Sequence, residues 1–127
     1  WPCWRIKRIR RFAKGWVKMV VSPANLEDAA LVDDVVAMMA RQTPEILAAH
    51  TFAGLVRPDY TDMLPRISVP TLIAPGEADT LRPVSVHQEM TARVPNSSLV
   101  VIEGSGHMVA MENPKAVSGA MRNWLLL

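Results

Sequence analysis

Apolar positions Ile6, Ile9, Ala13, Trp16, Val17 and Val20 recur at spacings of three, four and one. That is the period of one face of an α-helix, so the first twenty residues predict an amphipathic helix. Asn25 before Leu26-Glu27-Asp28 predicts a capped second helix over about 26 to 41, with Ala30, Leu31, Val35, Val36, Met38 and Met39 as its apolar positions. Acid in its first turn suits the helix dipole. Thr43-Pro44-Glu45 offers another N-cap followed by a proline at the first helical position, and Ile46, Leu47, His50, Phe52 and Leu55 carry that third helix towards Val56. His50 lies among these apolar positions and is expected to be a satisfied core or cap histidine. Pro58, Asp59 and Pro65 then break the chain into a loop.

From Ile67 the pattern changes. Ser-Val-Pro-Thr-Leu-Ile-Ala-Pro-Gly is a short apolar run between turn formers, which predicts a strand buried on both faces at 69 to 74. Arg82-Pro83 opens a helix in which Val84, His87, Met90 and Val94 recur until Pro95 ends it. Asn96-Ser97 turns the chain into a second buried strand, Ser98 to Ile102, and Gly104-Ser105-Gly106 releases it into a loop expected to be flexible. Asn113-Pro114 caps a last helix with Val117, Met121, Trp124 and Leu125 on one face. Strand, helix, strand, helix implies a parallel βαβ unit, and the fold class is α/β.

Two segments follow from this order: 1–66, a basic amphipathic helix with a helical region behind it, and 67–127, a strand-bearing core. Half of the 127 residues are hydrophobic and a fifth are charged, as in a small globular domain. No apolar run approaches the roughly 20 residues of a membrane span. The apolar stretch Trp16 to Val21 is short and interrupted by Lys18, a poor signal peptide, and the single Cys3 cannot form an internal disulfide. A cytoplasmic location is therefore expected. The chain begins at Trp1, which suggests part of a longer gene product.

The net charge of +2 hides an asymmetry. Seven basic residues and no acid precede position 19, whereas the remainder carries a net charge of minus five. A cationic helix of this kind can lie on anionic lipid or touch nucleic acid through residues 1–20, and Trp1, Trp4 and Trp16 favour the lipid. The reading adopted is that its apolar stripe packs on the domain and its arginines face water.

In a parallel sheet both strands deliver their following loops to the carboxyl edge, where ligands bind in open α/β sheets. Asp79 follows the first strand and His107 the second. With strands about 4.8 Å apart, the carboxylate can reach the imidazole, fix its tautomer and leave the other ring nitrogen as a general base. Glu77 and Glu103 are expected to be solvated or turn-stabilising. His50, His87 and His107 are scattered, so no metal and no organic cofactor is expected.

The run Val69-Pro-Thr-Leu-Ile-Ala-Pro-Gly-Glu-Ala-Asp79, followed by Leu99-Val-Val-Ile-Glu-Gly-Ser-Gly-His107-Met, resembles the C-terminal part of the α/β-hydrolase family. Met111-Glu112-Asn113-Pro114 and the final helix share that resemblance. It implies that Asp79 is the acid and His107 the base of a Ser-His-Asp triad, that Leu81, Met108 and Val109 line the acid and histidine side of the pocket, that the helices at 26 to 56 are cap-type, and that the fold is a partial α/β-hydrolase fold. The activity it implies is hydrolysis of a small ester or related bond. One part of the family pattern is absent: no serine here has glycine at both minus two and plus two, as a nucleophile elbow requires. Ser105, with glycines at both adjacent positions, reads as part of the histidine loop.

The expectation is thus an acid and a base without a nucleophile, inactive alone. Two parallel strands leave edges that something must cover. A missing N-terminal half or a homo-oligomer is the partner expected, beside a small ester-like substrate once the site is complete. The alternative is a non-catalytic remnant that binds membrane, nucleic acid or a protein through its basic helix.

Overall fold

The computed structural model describes residues 3–126, with side chains from Arg8 onward. Trp1 and the side chains of Trp4, Arg5, Ile6 and Lys7 lie outside the described residues. The periodic first segment forms helix α1, Cys3–Val20. Ile9, Ala13, Val17 and Val20 are buried on it, while Arg8, Arg10, Arg11, Lys14 and Lys18 face water. The apolar stripe therefore packs inward, because the stripe alone gains by leaving solvent.

Its partner is α2, Ala29–Ala40, reached through a 3-10 turn at Pro23–Glu27. Val35 and Val36 on α2 close a core with Ala13, Val17, Val20 and Val21, and Trp16, Leu31, Met39, Leu81 and Met108 pack around it. The N-cap of α2 is Asp28 and not Asn25 as expected: Asp28 Oδ1 accepts from the N–H groups of Ala30 and Leu31 at 3.0 and 3.1 Å. The Pro23–Glu27 turn delays the helix start, and Asn25 is drawn to another partner described below.

Helix α3, Pro44–Val56, begins at the expected cap, with Thr43 Oγ1 accepting from Ile46 N–H at 3.2 Å. Its apolar face is not core. Phe52 is 65% and Leu55 79% exposed, and none of its residues is buried. His50 is likewise exposed and lines an open cleft, so its expected core role is corrected. A 3-10 turn at Thr61–Arg66 occupies the expected loop.

Strand β1, Thr71–Ile73, and strand β2, Ser97–Leu99, pair in parallel, with Thr71 opposite Ser97 and Ile73 opposite Leu99. A further parallel bridge joins Gly76 to Ile102. Helix α4, Val84–Arg93, is the crossover between them, which makes the expected βαβ unit. Both strands are shorter than predicted and only partly buried. Ile73 and Ile102 point into the structure, whereas Val100 and Val101 are 37% and 36% exposed. Burial of both faces would need cover that the described residues do not supply.

A one-turn helix α5, Val109–Glu112, absent from the predicted elements, interrupts the path to α6, Pro114–Leu125. Asn113 caps α6 as expected, accepting from Ala116 N–H at 3.2 Å. On α6, Val117 and Trp124 are half-buried, but Met121 and Leu125 are exposed. Among the described residues no helix is long and apolar enough to cross a membrane.

Candidate active site

Each strand ends in a loop that runs along the same edge. After β1, Gly76 pairs with Ile102, Glu77 N–H donates to the Ile102 carbonyl at 3.0 Å, and Ala78 N–H donates to the Ser105 carbonyl at 2.8 Å. The loop after β1 is thus laced to the loop after β2. The two run so close that a Cβ on Gly76 would stand 2.1 Å from the Gly106 carbonyl oxygen.

Asp79 sits at the end of this lacing, 8% exposed. Its Oδ1 accepts from the N–H groups of Leu81 and Arg82, both at 2.9 Å, which fixes the carboxylate before any partner arrives. Its Oδ2 lies 2.8 Å from His107 Nδ1. Burial pushes the Asp79 carboxyl up. Hydrogen bonds from His107 and the Arg82 N–H, the charge of His107 and the Leu81 N–H outweigh it and hold the group below the usual carboxylate value. An ionised Asp79 is an acceptor only, so Nδ1 carries the proton and Nε2 is left as the basic nitrogen. The His107 side chain is 41% exposed, open to a reactant.

The histidine loop, expected to be flexible, is tied to its neighbours by hydrogen bonds. Gly104, at φ 64°, makes a left-handed turn that disfavours a side chain. Ser105 beyond it is 1% exposed, its hydroxyl donating to the Glu103 carbonyl at 3.4 Å. Gly104 N–H donates to Glu77 Oε2 at 3.0 Å, the turn-stabilising use expected of Glu77, while Glu103 is exposed. Met108 N–H donates to the Val20 carbonyl at the end of α1.

Of the residues expected to line the site, Leu81 and Met108 are half-buried against the α1–α2 core, and Val109 is half-buried at the start of α5. A cleft of about 910 Å³ opens elsewhere, between α1, α2 and α3, lined among others by Phe12, Trp16, Met39 and His50. Among the described residues no group of three or more metal-binding side chains gathers. Sequence reasoning missed Glu112, Ser22 and Asn25, whose polar groups meet behind the histidine loop. Glu112 was visible only inside the Met111-Glu112-Asn113-Pro114 motif, Asn25 read locally as a helix cap, and nothing local marked Ser22.

The profile of the alpha/beta hydrolase family matches residues 1–120. A polyketide synthase, ThaQ of Burkholderia thailandensis, is 34% identical over 97 residues, 76% of this chain and 4% of that one. A non-heme chloroperoxidase of Kitasatospora aureofaciens is 37% identical over 71 residues, half of this chain and 26% of that one. The solved structure of a thermophilic esterase from Thermogutta terrifontis superposes with a TM-score of 0.85 at 31% identity, covering 94% of this chain and 46% of the esterase. The chain therefore spans less than half the length of each of these relatives.

Proposed function

The chain belongs to the α/β-hydrolase family and has a partial α/β-hydrolase fold, and we propose that Asp79 and His107 are the acid and base of a Ser-His-Asp triad. The observation that carries this reading is the 2.8 Å contact between a buried, prefixed carboxylate and Nδ1 of an accessible imidazole. Asp79 holds the ring in the tautomer with Nδ1–H and stabilises the imidazolium that forms when Nε2 takes a proton from a serine hydroxyl. The same proton then passes to the leaving group, which completes acyl transfer to the serine, and water repeats the cycle. The bond broken is that of a small ester or a related one.

Since no serine in the sequence sits in a Gly-x-Ser-x-Gly elbow, the nucleophile belongs to a segment outside these 127 residues, and the chain alone is inactive. The test is a fusion of this chain behind an α/β-hydrolase N-terminal half that carries such an elbow. Turnover of a short-chain chromogenic ester, and labelling of the serine by a fluorophosphonate, should both fall by about 10³-fold or more in His107→Ala. Equal turnover with and without His107 would end this reading.

A second reading draws on the exposed face of α1. Arg8, Arg11 and Lys18 stand there beside Phe12 and Met19, which are 58% and 55% exposed. Basic residues with exposed apolar neighbours suit an anionic lipid surface. Co-sedimentation with phosphatidylserine vesicles that is lost in high salt and in Arg11→Glu/Lys18→Glu would support it; equal recovery with phosphatidylcholine vesicles would not.

A further inference from the structure

Behind the histidine loop stands a carboxylate that the triad chemistry leaves unused. Glu112, on α5, accepts three hydrogen bonds. Gly106 N–H reaches Oε1 at 2.9 Å, while Ser22 N–H and Asn25 Nδ2 reach Oε2 at 2.8 and 3.0 Å. The Ser22 hydroxyl and Asn25 Nδ2 also donate to the Gly104 carbonyl, at 2.7 and 3.1 Å. On the other side of His107, Met108 N–H is bonded to the Val20 carbonyl at 3.0 Å. Both neighbours of His107 are therefore tied to the chain leaving α1, one through Glu112 and one directly.

The packing leaves no slack in this arrangement. A Cβ on Gly106 would stand 2.7 Å from Ser22 N and 2.9 Å from the Val20 oxygen. The Gly76 backbone, the Gly106 backbone and the Val20–Ser22 backbone are thus stacked in direct contact, with His107 projecting from the middle layer. We infer that Glu112 is the positioning residue of His107. Through it the exit of α1 and the imidazole move as one body, so a displacement of α1 is felt at the Asp79–His107 contact. The catalytic consequence rests on the reading of His107 as the base; the geometric one does not.

The donor set explains why a carboxylate is required. Three N–H donors converge on two oxygens, and only an ionised carboxyl accepts at both. A glutamine of the same shape accepts at one oxygen and turns its own N–H groups against either Gly106 or Ser22. One side of the tie is then lost, and each lost bond to a charged group is worth about tenfold or more in an equilibrium.

The test uses the 127-residue chain, 15N-labelled, with the exchange of the His107 Nδ1 proton as its signal. In Glu112→Gln, with a dispersed amide spectrum, that proton should exchange about tenfold faster, and the Gly106 and Met108 amides should lose protection with it. Asn25→Ala, which leaves the Ser22 and Gly106 bonds, should move the same signals in the same direction by less. In the serine-bearing fusion, Glu112→Gln should lower kcat about tenfold with KM unchanged. Unchanged Nδ1 exchange in a folded Glu112→Gln overturns the inference. Should that variant fail to fold, unchanged exchange in Asn25→Ala overturns it instead. A fusion whose turnover ignores His107 defeats the triad reading and leaves these NMR outcomes as they stand.

Discussion

Replacing Gly76 by alanine should drive the two loops of the site apart. The added Cβ would lie 2.1 Å from the Gly106 oxygen, 2.4 Å from the Ser105 oxygen and 2.8 Å from the Ser105 carbonyl carbon, all of them backbone atoms that no rotamer change can move. Relief requires the histidine loop to retreat by roughly 1 Å, yet on its far side Gly106 already presses on Ser22 and Val20. The retreat also stretches the 2.8 Å bond from Ala78 N–H to the Ser105 carbonyl, because that same carbonyl is the one displaced. Overpacking costs about 1–3 kcal/mol and the weakened hydrogen bond about 1 kcal/mol, so the loss is about 3 kcal/mol. That is a large share of the roughly 5–15 kcal/mol that holds a domain of this size.

Urea titration followed by far-UV circular dichroism reads this loss directly, and a melting temperature lower by roughly 10 °C should accompany it. Gly15→Ala is the matched control. Gly15 lies inside α1 with nothing within 4 Å of the added Cβ, so the exchange should stabilise by about 0.5–1 kcal/mol through helix propensity alone. Gly76→Ala within about 0.5 kcal/mol of the parent, measured beside a stabilised Gly15→Ala, would refute the stacking argument.

Asp79→Asn keeps a carbonyl for Leu81 and Arg82 but turns an amide N–H2 towards His107, so the ring should change tautomer to Nε2–H; 15N chemical shifts that still place the proton on Nδ1 would contradict this. The same variant bears on pH. The folded pKa of Asp79 lies below its unfolded value of about 3.9, so its contribution is complete above that value and fades as pH falls through the folded pKa. The acid limb of a stability-against-pH curve should be shallower in Asp79→Asn than in the parent, and identical limbs would count against the assignment. Val35→Ala should cost about 2 kcal/mol because Val35 is fully buried between α1 and α2, whereas Phe52→Ala, at 65% exposure, should stay within about 0.5 kcal/mol; urea midpoints that do not separate the two would contradict the core assignment. Asp28→Ala should remove about 1 kcal/mol by uncapping α2, a loss that helical ellipticity and the urea midpoint should both register.

Local rules made much of the chain legible. The caps at Thr43 and Asn113, each with proline next in line, and the 3.6-residue stripe of α1 act through neighbours three or four positions away, and they appear in the structure where the residues put them. The order of strands and helices predicted a parallel unit, and that topology alone sends Asp79 and His107 to one edge. Their meeting needs no knowledge of the rest of the chain, because strand spacing and loop length decide it.

What the sequence left open was decided by contacts between distant segments. Asn25 has the character of a helix cap and sits one turn early, yet it bonds Gly104 and Glu112, 79 and 87 positions away, while Asp28 takes the cap. The apolar residues of α3 extend a helix by pattern, but burial depends on whether another element packs on them, and no residue of α3 is buried. Gly104-Ser105-Gly106 looks mobile from composition. Gly106, and Gly76 in the loop after β1, instead let backbone touch backbone between that loop, the histidine loop and the end of α1. A helix face or a cap is the property of a few consecutive residues and is written in them. The fixation of His107 is a property of three segments brought together, and only the packed fold contains it.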